Sequence, residues 1–130
     1  MMSATTYHQL VMNIIAWNCR GALKPTFQGH IHDLVHNHDP AIMIVMETKL
    51  GGGRAKEITD RLLYDGALHT DTIGYAGGLW LLWNSDKVEV EALAKTKQEI
   101  HVKVKVCSLN LTWLLSAIYA SPRSEERCIL

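Results

Sequence analysis

A mixed α/β layered domain is the fold class that this sequence predicts, and three observations predict it. Two apolar runs, residues 11–17 and 41–46, flank a stretch with helical periodicity. Beyond about residue 66 the apolar pattern changes to period two and stays there to residue 120. The composition supplies the third: 130 residues, 48% hydrophobic and 20% charged, suit one domain with a single core. An order of β-α-β-α followed by antiparallel strands is a layered mixed domain rather than a doubly wound one.

The elements follow in order. Residues 1–10 are a polar lead, expected to be disordered. The first strand, about 11–17, leads into a loop with Gly21 and Pro25. A helix is expected over 26–38, where Phe27, Ile31, Leu34, Val35 and His38 form one stripe. Asp39-Pro40 stops it, because a residue before proline avoids the right-handed helical region. Ala41–Met46 has no polar alternation, the mark of a strand buried on both faces. Gly51-Gly52-Gly53 reads as a flexible connector into a second helix over about 54–64, with Ala55, Ile58, Leu62 and Leu63 on one face. A strand is expected over 67–74. Leu79–Trp83 is apolar on both faces and reads as a central strand. Val88, Val90 and Ala92 alternate with Lys87, Glu89 and Glu91, and Ile100, Val102, Val104 and Val106 with His101, Lys103 and Lys105. The last strand, 109–120, places Trp113, Leu115, Ala117 and Tyr119 on one side. Residues 121–130 read as the start of a further helix.

Thirteen basic and thirteen acidic residues cancel, so any nucleic-acid binding must come from local placement of charge. Three cysteines (Cys19, Cys107 and Cys128) without CxxC spacing argue against a disulfide scaffold and for a reducing compartment. No apolar run approaches the ~20 residues of a membrane span. With no signal-peptide pattern at the amino terminus, an intracellular location, nuclear or cytoplasmic, is expected.

Two polar residues end the first two strands. Asn18 follows Trp17, and Glu47 follows Met46. A helical crossover would make these strands parallel neighbours, ~5 Å apart, with both ends on one sheet edge. Asn18 and Glu47 could then share one cation or one phosphate, at the edge where open α/β sheets place ligands. Equally, Asn18 could be a turn residue and Glu47 a solvated strand terminus.

WNCRG (17–21), METK (46–49) and YASP (119–122), with GGLWLLW (77–83) between them, together resemble the endonuclease/exonuclease/phosphatase superfamily. The pattern is most similar to the amino-terminal endonuclease domain of plant LINE-type (non-LTR) retrotransposon polyproteins. The resemblance implies a four-layer α/β sandwich, with two mixed sheets face to face and helices outside. It implies magnesium-dependent phosphodiester hydrolysis, with manganese as a substitute, and DNA as the partner. Glu47 matches the metal-binding glutamate, Asn18 the asparagine beside the metal, and Tyr119 the tyrosine on the phosphate. Arg20 and Lys49 lie close to the proposed site, where they could bind phosphate or be solvated charges. Further along, the family carries an Asp-x-Asn motif and a terminal Asp-His pair. Here no aspartate follows Asp86 among residues 1–119, and the last histidine is His101. Residues 11–130 are thus expected to match about the amino-terminal half of the domain, to self-associate and to hydrolyse little. The alternatives are a non-catalytic remnant or interaction module, and another branch such as a repair exonuclease or a phosphoester phosphatase.

Other features invite sharper readings. His30, His32, His36 and His38 suggest zinc, but only His32 and His36 share a helix face, and two ligands do not close a zinc site. The glycine run before Arg54 lacks the ending of a P-loop. Trp80, Trp83 and Trp113 belong to apolar strands and read as core. Trp17, beside Asn18, is open to a substrate contact.

Overall fold

Strands that are apolar on both sides must be covered on both sides, and this requirement builds the molecule outward from its centre. The computed structural model describes residues 13–71 and 77–119. Its elements are β1 (Ile14–Asn18), α1 (Phe27–His38), β2 (Ile42–Met46), α2 (Gly52–Thr59), β3 (Gly66–His69), β4 (Leu79–Trp83), β5 (Val88–Lys95), β6 (Glu99–Val106) and β7 (Leu111–Ile118). One sheet has the order β1-β2-β4-β3, the other β5-β6-β7. The β1–β2 pair is parallel and every other pair is antiparallel.

Alternation along β2 and β4 divides the core in two. Met43, Val45, Trp80 and Leu82 pack beneath Phe27 and Ile31 of α1 and Ala55 and Ile58 of α2. Ile42, Ile44, Leu79 and Leu81 face the second sheet, meeting Val88, Ile100, Val102, Val104 and Ala117. Each such side chain contributes roughly 1.5–3 kcal/mol when fully buried. Among the described residues the layers are therefore helices, first sheet, second sheet. The expected mixed α/β sandwich with outer helices is present.

Between the sheets the two apolar faces cover each other. Among the described residues nothing covers the outer face of the second sheet. There the Lys103–Glu91 and Lys105–Glu89 pairs cross between β6 and β5, and Glu99 and Ser116 hydrogen-bond His101.

Several boundaries differ from the sequence reading. The second helix begins at Gly52, two residues early, and ends at Thr59 rather than 64. The glycines are thus not a connector: Gly51 is the N-cap, and Gly52 (φ +58°) and Gly53 form the first turn. Leu62 and Leu63 lie beyond the helix, and Leu63 is exposed. Tyr64 takes over the packing, donating its hydroxyl to Pro40 O at 2.8 Å; burial pushes its pKa up to about 12. The β3 strand is short, ending at His69, and residues 72–74 of the expected strand lie outside the described residues. The last strand is Leu111–Ile118 rather than 109–120. Residues 121–130 and 1–10 also lie outside the described residues. His38 ends the α1 stripe in sequence but is exposed, because Asp39 turns into the left-handed region (φ 43°) with its N–H on Val35 O. His32 and His36 do share a face, their rings stacked 6.2 Å apart.

Candidate functional site

The parallel register sets Asn18 beside Met46, so the chain leaves β1 and β2 at one edge, and Glu47 emerges next to Asn18. Asn18 Nδ2 donates to Glu47 Oε2 at 3.0 Å. Tyr119, one residue past β7 in the other sheet, donates its hydroxyl to the same oxygen at 3.4 Å. Lys49 Nζ lies 4.0 Å from Glu47 Oε1. Arg20 joins through its backbone, its N–H donating to Asn18 Oδ1 at 3.0 Å while its side chain is exposed. Three strand ends from two sheets thus converge on one carboxylate.

The backbone here is unusual. Past the strands, Cys19, Gly21 and Ala22 N–H groups still donate to Met46, Glu47 and Thr48 carbonyls at 2.8–3.0 Å. On the other side Thr48 N–H reaches Gly78 O and Lys49 N–H reaches Gly77 O. Between the Met46–Leu79 pair and the Lys49–Gly77 bond, Glu47 and Thr48 oppose Gly78 alone. Two residues against one is a β-bulge, a device that re-aims a side chain. Arg20 (φ 55°), Glu47 (φ 58°) and Lys49 (φ 62°) are all left-handed, as are Gly77 (φ 73°) and Gly78 (φ 99°). For long side chains that conformation costs on the order of 1 kcal/mol each, and such residues cluster at functional sites.

Exposure grades across the cluster. The Tyr119 ring is buried, the Glu47 side chain is 21% exposed, and Asn18 and Lys49 face solvent. Cys19 lies beneath, its thiol donating to Glu47 O at 3.6 Å; burial pushes its pKa up, and the Glu47 charge adds to the rise. Trp17 is half-buried, its ring stacked on Phe27 at 5.7 Å and edge-on to His30. Trp80 is fully buried, with Trp83 and Trp113 packed against the inter-sheet core.

The Glu47 carboxylate is a hard-oxygen donor, and Asn18 turns its N–H group and Tyr119 its hydroxyl toward it. One such carboxylate fits a magnesium-class cation that completes its shell with water and substrate phosphate. Among the described residues no group of three His, Cys, Asp or Glu side chains converges, and Glu47 is the carboxylate of this cluster. Of the residues that the sequence singles out, Asn18, Glu47, Lys49 and Tyr119 come together through their side chains and Arg20 through its backbone. A glycine pair ahead of a buried strand, Gly77-Gly78, is the sequence signal for a bulge or a close backbone approach, and the bulge lies opposite it. The left-handed residues and the place of Cys19 beneath Glu47 have no such signal.

No protein-family model matches the sequence, and no curated protein matches it. Solved structures do. The AP endonuclease LMAP of Leishmania major superposes with a TM-score of 0.65 at 12% identity, over 89% of this chain and 43% of that one. TDP2 of D. rerio, complexed with a single-strand DNA product, gives 0.52 at 16% identity, over 89% of this chain and 50% of its own. A humanized D. rerio TDP2 gives 0.54 at 16%, covering 51% of that chain. The chain therefore has the fold of the endonuclease/exonuclease/phosphatase class, and it spans about half the length of these structures or less.

Proposed function

We propose that the Asn18–Glu47–Tyr119 cluster is a divalent-cation and phosphodiester site. The chain would then be about the amino-terminal half of a DNA-nicking domain of a LINE-type element, acting inside the cell. The observation that carries this is the single carboxylate held by Asn18 and Tyr119 from two sheets, on a strained backbone. The DNA product in the D. rerio TDP2 structure supports DNA as the ligand, and the WNCRG, METK and YASP motifs support the retroelement branch.

Glu47 would hold the cation, magnesium or manganese, with the Asn18 amide beside it. Bound there, the cation would polarise a phosphoryl oxygen and offset charge on the leaving group. Asn18 and Tyr119 can donate hydrogen bonds to phosphate oxygens without adding charge. Lys49 and Arg20 supply positive charge for the phosphate. Deprotonating a water is beyond this set, since an amide and a phenol are poor bases at neutral pH and Glu47 would be committed to the cation. General-base catalysis contributes ~10²–10⁴-fold, so turnover by the chain alone is expected to fall below detection.

The test is nicking of supercoiled plasmid with magnesium or manganese. The chain alone is expected to leave the plasmid intact. Fusion to the carboxyl-terminal half of LMAP is expected to restore nicking, and Glu47→Ala to abolish it. Nicking by the 130-residue chain alone that Glu47→Ala removes would overturn the missing-base account. The second reading is a non-catalytic interaction module that keeps the half-fold. It predicts no activity in the fusion either. A fusion that cuts free DNA ends or phosphomonoesters in preference to plasmid would point to the exonuclease or phosphatase branch.

A further inference from the structure

We propose that Thr48 is a positioning residue for Glu47, acting through a buried carbonyl that it shares with Trp80. The inference rests on the reading of Glu47 as a cation ligand, and it adds the group that fixes where the carboxylate sits.

Within METK the four side chains have different surroundings. Met46 and Glu47 are half-buried and Lys49 is exposed, whereas Thr48 is fully buried. Its backbone is held from both sides, its N–H donating to Gly78 O at 3.3 Å and its carbonyl accepting from Ala22 N–H at 2.9 Å. Packing alone would be served as well by valine, which has no polar atom to satisfy. A hydroxyl in so buried a place needs an acceptor. It finds Leu50 O at 3.4 Å. The indole N–H of Trp80 donates to the same oxygen at 3.3 Å. A backbone carbonyl has two lone pairs, so both donors can be accommodated.

The shared carbonyl is a firm anchor. Trp80 is fully buried in β4, paired with Val45 of β2 and His69 of β3, and its ring meets Phe27 and His69 edge-on. Leu50 precedes Gly51, the N-cap of α2, whose carbonyl accepts from Ala55 N–H. The segment from the bulge to the helix is thus pinned at both ends. Thr48 joins the two, with its backbone in the bulge and its hydroxyl on the carbonyl ahead of the helix. On either side of it stand Glu47 (φ 58°) and Lys49 (φ 62°), whose left-handed conformation persists only where the surroundings impose it. Without the hydroxyl, the Lys49 turn relaxes. The Glu47 carboxylate then no longer sits in one place among Asn18 Nδ2, the Tyr119 hydroxyl and Lys49 Nζ.

NMR of the full chain, first without metal and then with manganese, tests this. The Asn18 side-chain amide reports the carboxylate position, because Nδ2 donates to Glu47 Oε2 at 3.0 Å. In Thr48→Val that resonance is expected to move toward the position of a solvated amide. The manganese concentration that half-broadens the amides of residues 47–49 is expected to rise roughly 2–10-fold, the equivalent of one hydrogen bond. Leu50 O keeps the indole N–H in this variant, so the remaining spectrum is expected to stay folded. Thr48→Ser, which keeps the hydroxyl, is expected to return both readouts toward wild type. An Asn18 resonance unchanged in Thr48→Val, or a change that Thr48→Ser does not reverse, overturns the proposal. A wild-type chain without localised broadening overturns the cation reading instead, and the metal-free Asn18 resonance then decides the positioning claim by itself.

Discussion

Glu47 is held by its neighbours in a conformation that its own backbone resists. The left-handed turn at Glu47 and again at Lys49 is stabilised by hydrogen bonds from both flanking chains, Gly21 to Glu47 O and Lys49 N–H to Gly77 O. If the strain serves positioning of charge, relieving it should strengthen the fold and weaken the site. Lys49→Gly is therefore expected to raise stability by up to ~1 kcal/mol, since glycine occupies positive φ without penalty. Removing the ammonium beside Glu47 should weaken phosphate binding at the same time. Urea midpoints, together with a titration of a short phosphodiester oligonucleotide, check both arms; lower stability in the variant would mean that Lys49 is not strained. This cost was invisible in METK as a string, because φ at a strand end is set by the bulge against Gly78. The identities of the polar residues were legible because they interrupt apolar runs, and their convergence because β1 and β2 had to be parallel.

Among the elements, those defined by a long unbroken pattern were read closely. Leu79–Trp83 was expected to be central and lies between β2 and β3. The second helix was misplaced because periodicity was followed through Leu62 and Leu63 while the chain had already turned at Asp60. Its true end is tied to β3 by Thr59 Oγ1, which hydrogen-bonds His69 Nε2 at 3.0 Å. Burial, with Lys95 nearby, holds the His69 pKa below the ordinary 6.5, although Asp60 opposes the shift and Lys56 reinforces it. The unfolded chain thus takes up this proton first as pH falls. Stability is full above about pH 6.5 and declines as the pH drops through the lower folded value. Chemical denaturation at pH 7.5 and 5.5 is expected to show that decline, and His69→Gln to reduce it. An equal decline in the variant would remove His69 as the cause. Gly66, at the start of β3, is fixed by packing alone: a Cβ there would overlap the Trp83 indole.

For the molecule as a whole, two sheets and two helices suffice to cover both faces of β2 and β4, so a core exists even though the chain spans 43% of LMAP. Among the described residues the outer face of the second sheet has no cover, and Tyr119 enters the site at the end of that sheet's last described strand. The helices of the first layer are the described ones; among the described residues none is long and apolar enough to cross a membrane. The sandwich class was legible because doubly apolar strands demand cover on two sides. The inter-sheet contact between Tyr119 and Glu47 was legible only through the family resemblance, because a strand pattern says nothing about which sheet end meets which.

The central claim, that Glu47 with Asn18 and Tyr119 forms a divalent-cation site, is tested most directly by manganese titration followed by NMR. Paramagnetic broadening is expected first at the amides of residues 18–21, 47–49, 77–78 and 119. Saturation is expected in the millimolar range, an affinity of only ~4 kcal/mol, as suits a single carboxylate. Glu47→Gln is expected to abolish the localised broadening while the rest of the spectrum stays folded. Broadening centred on His32 and His36, or micromolar binding that survives Glu47→Gln, would contradict the account.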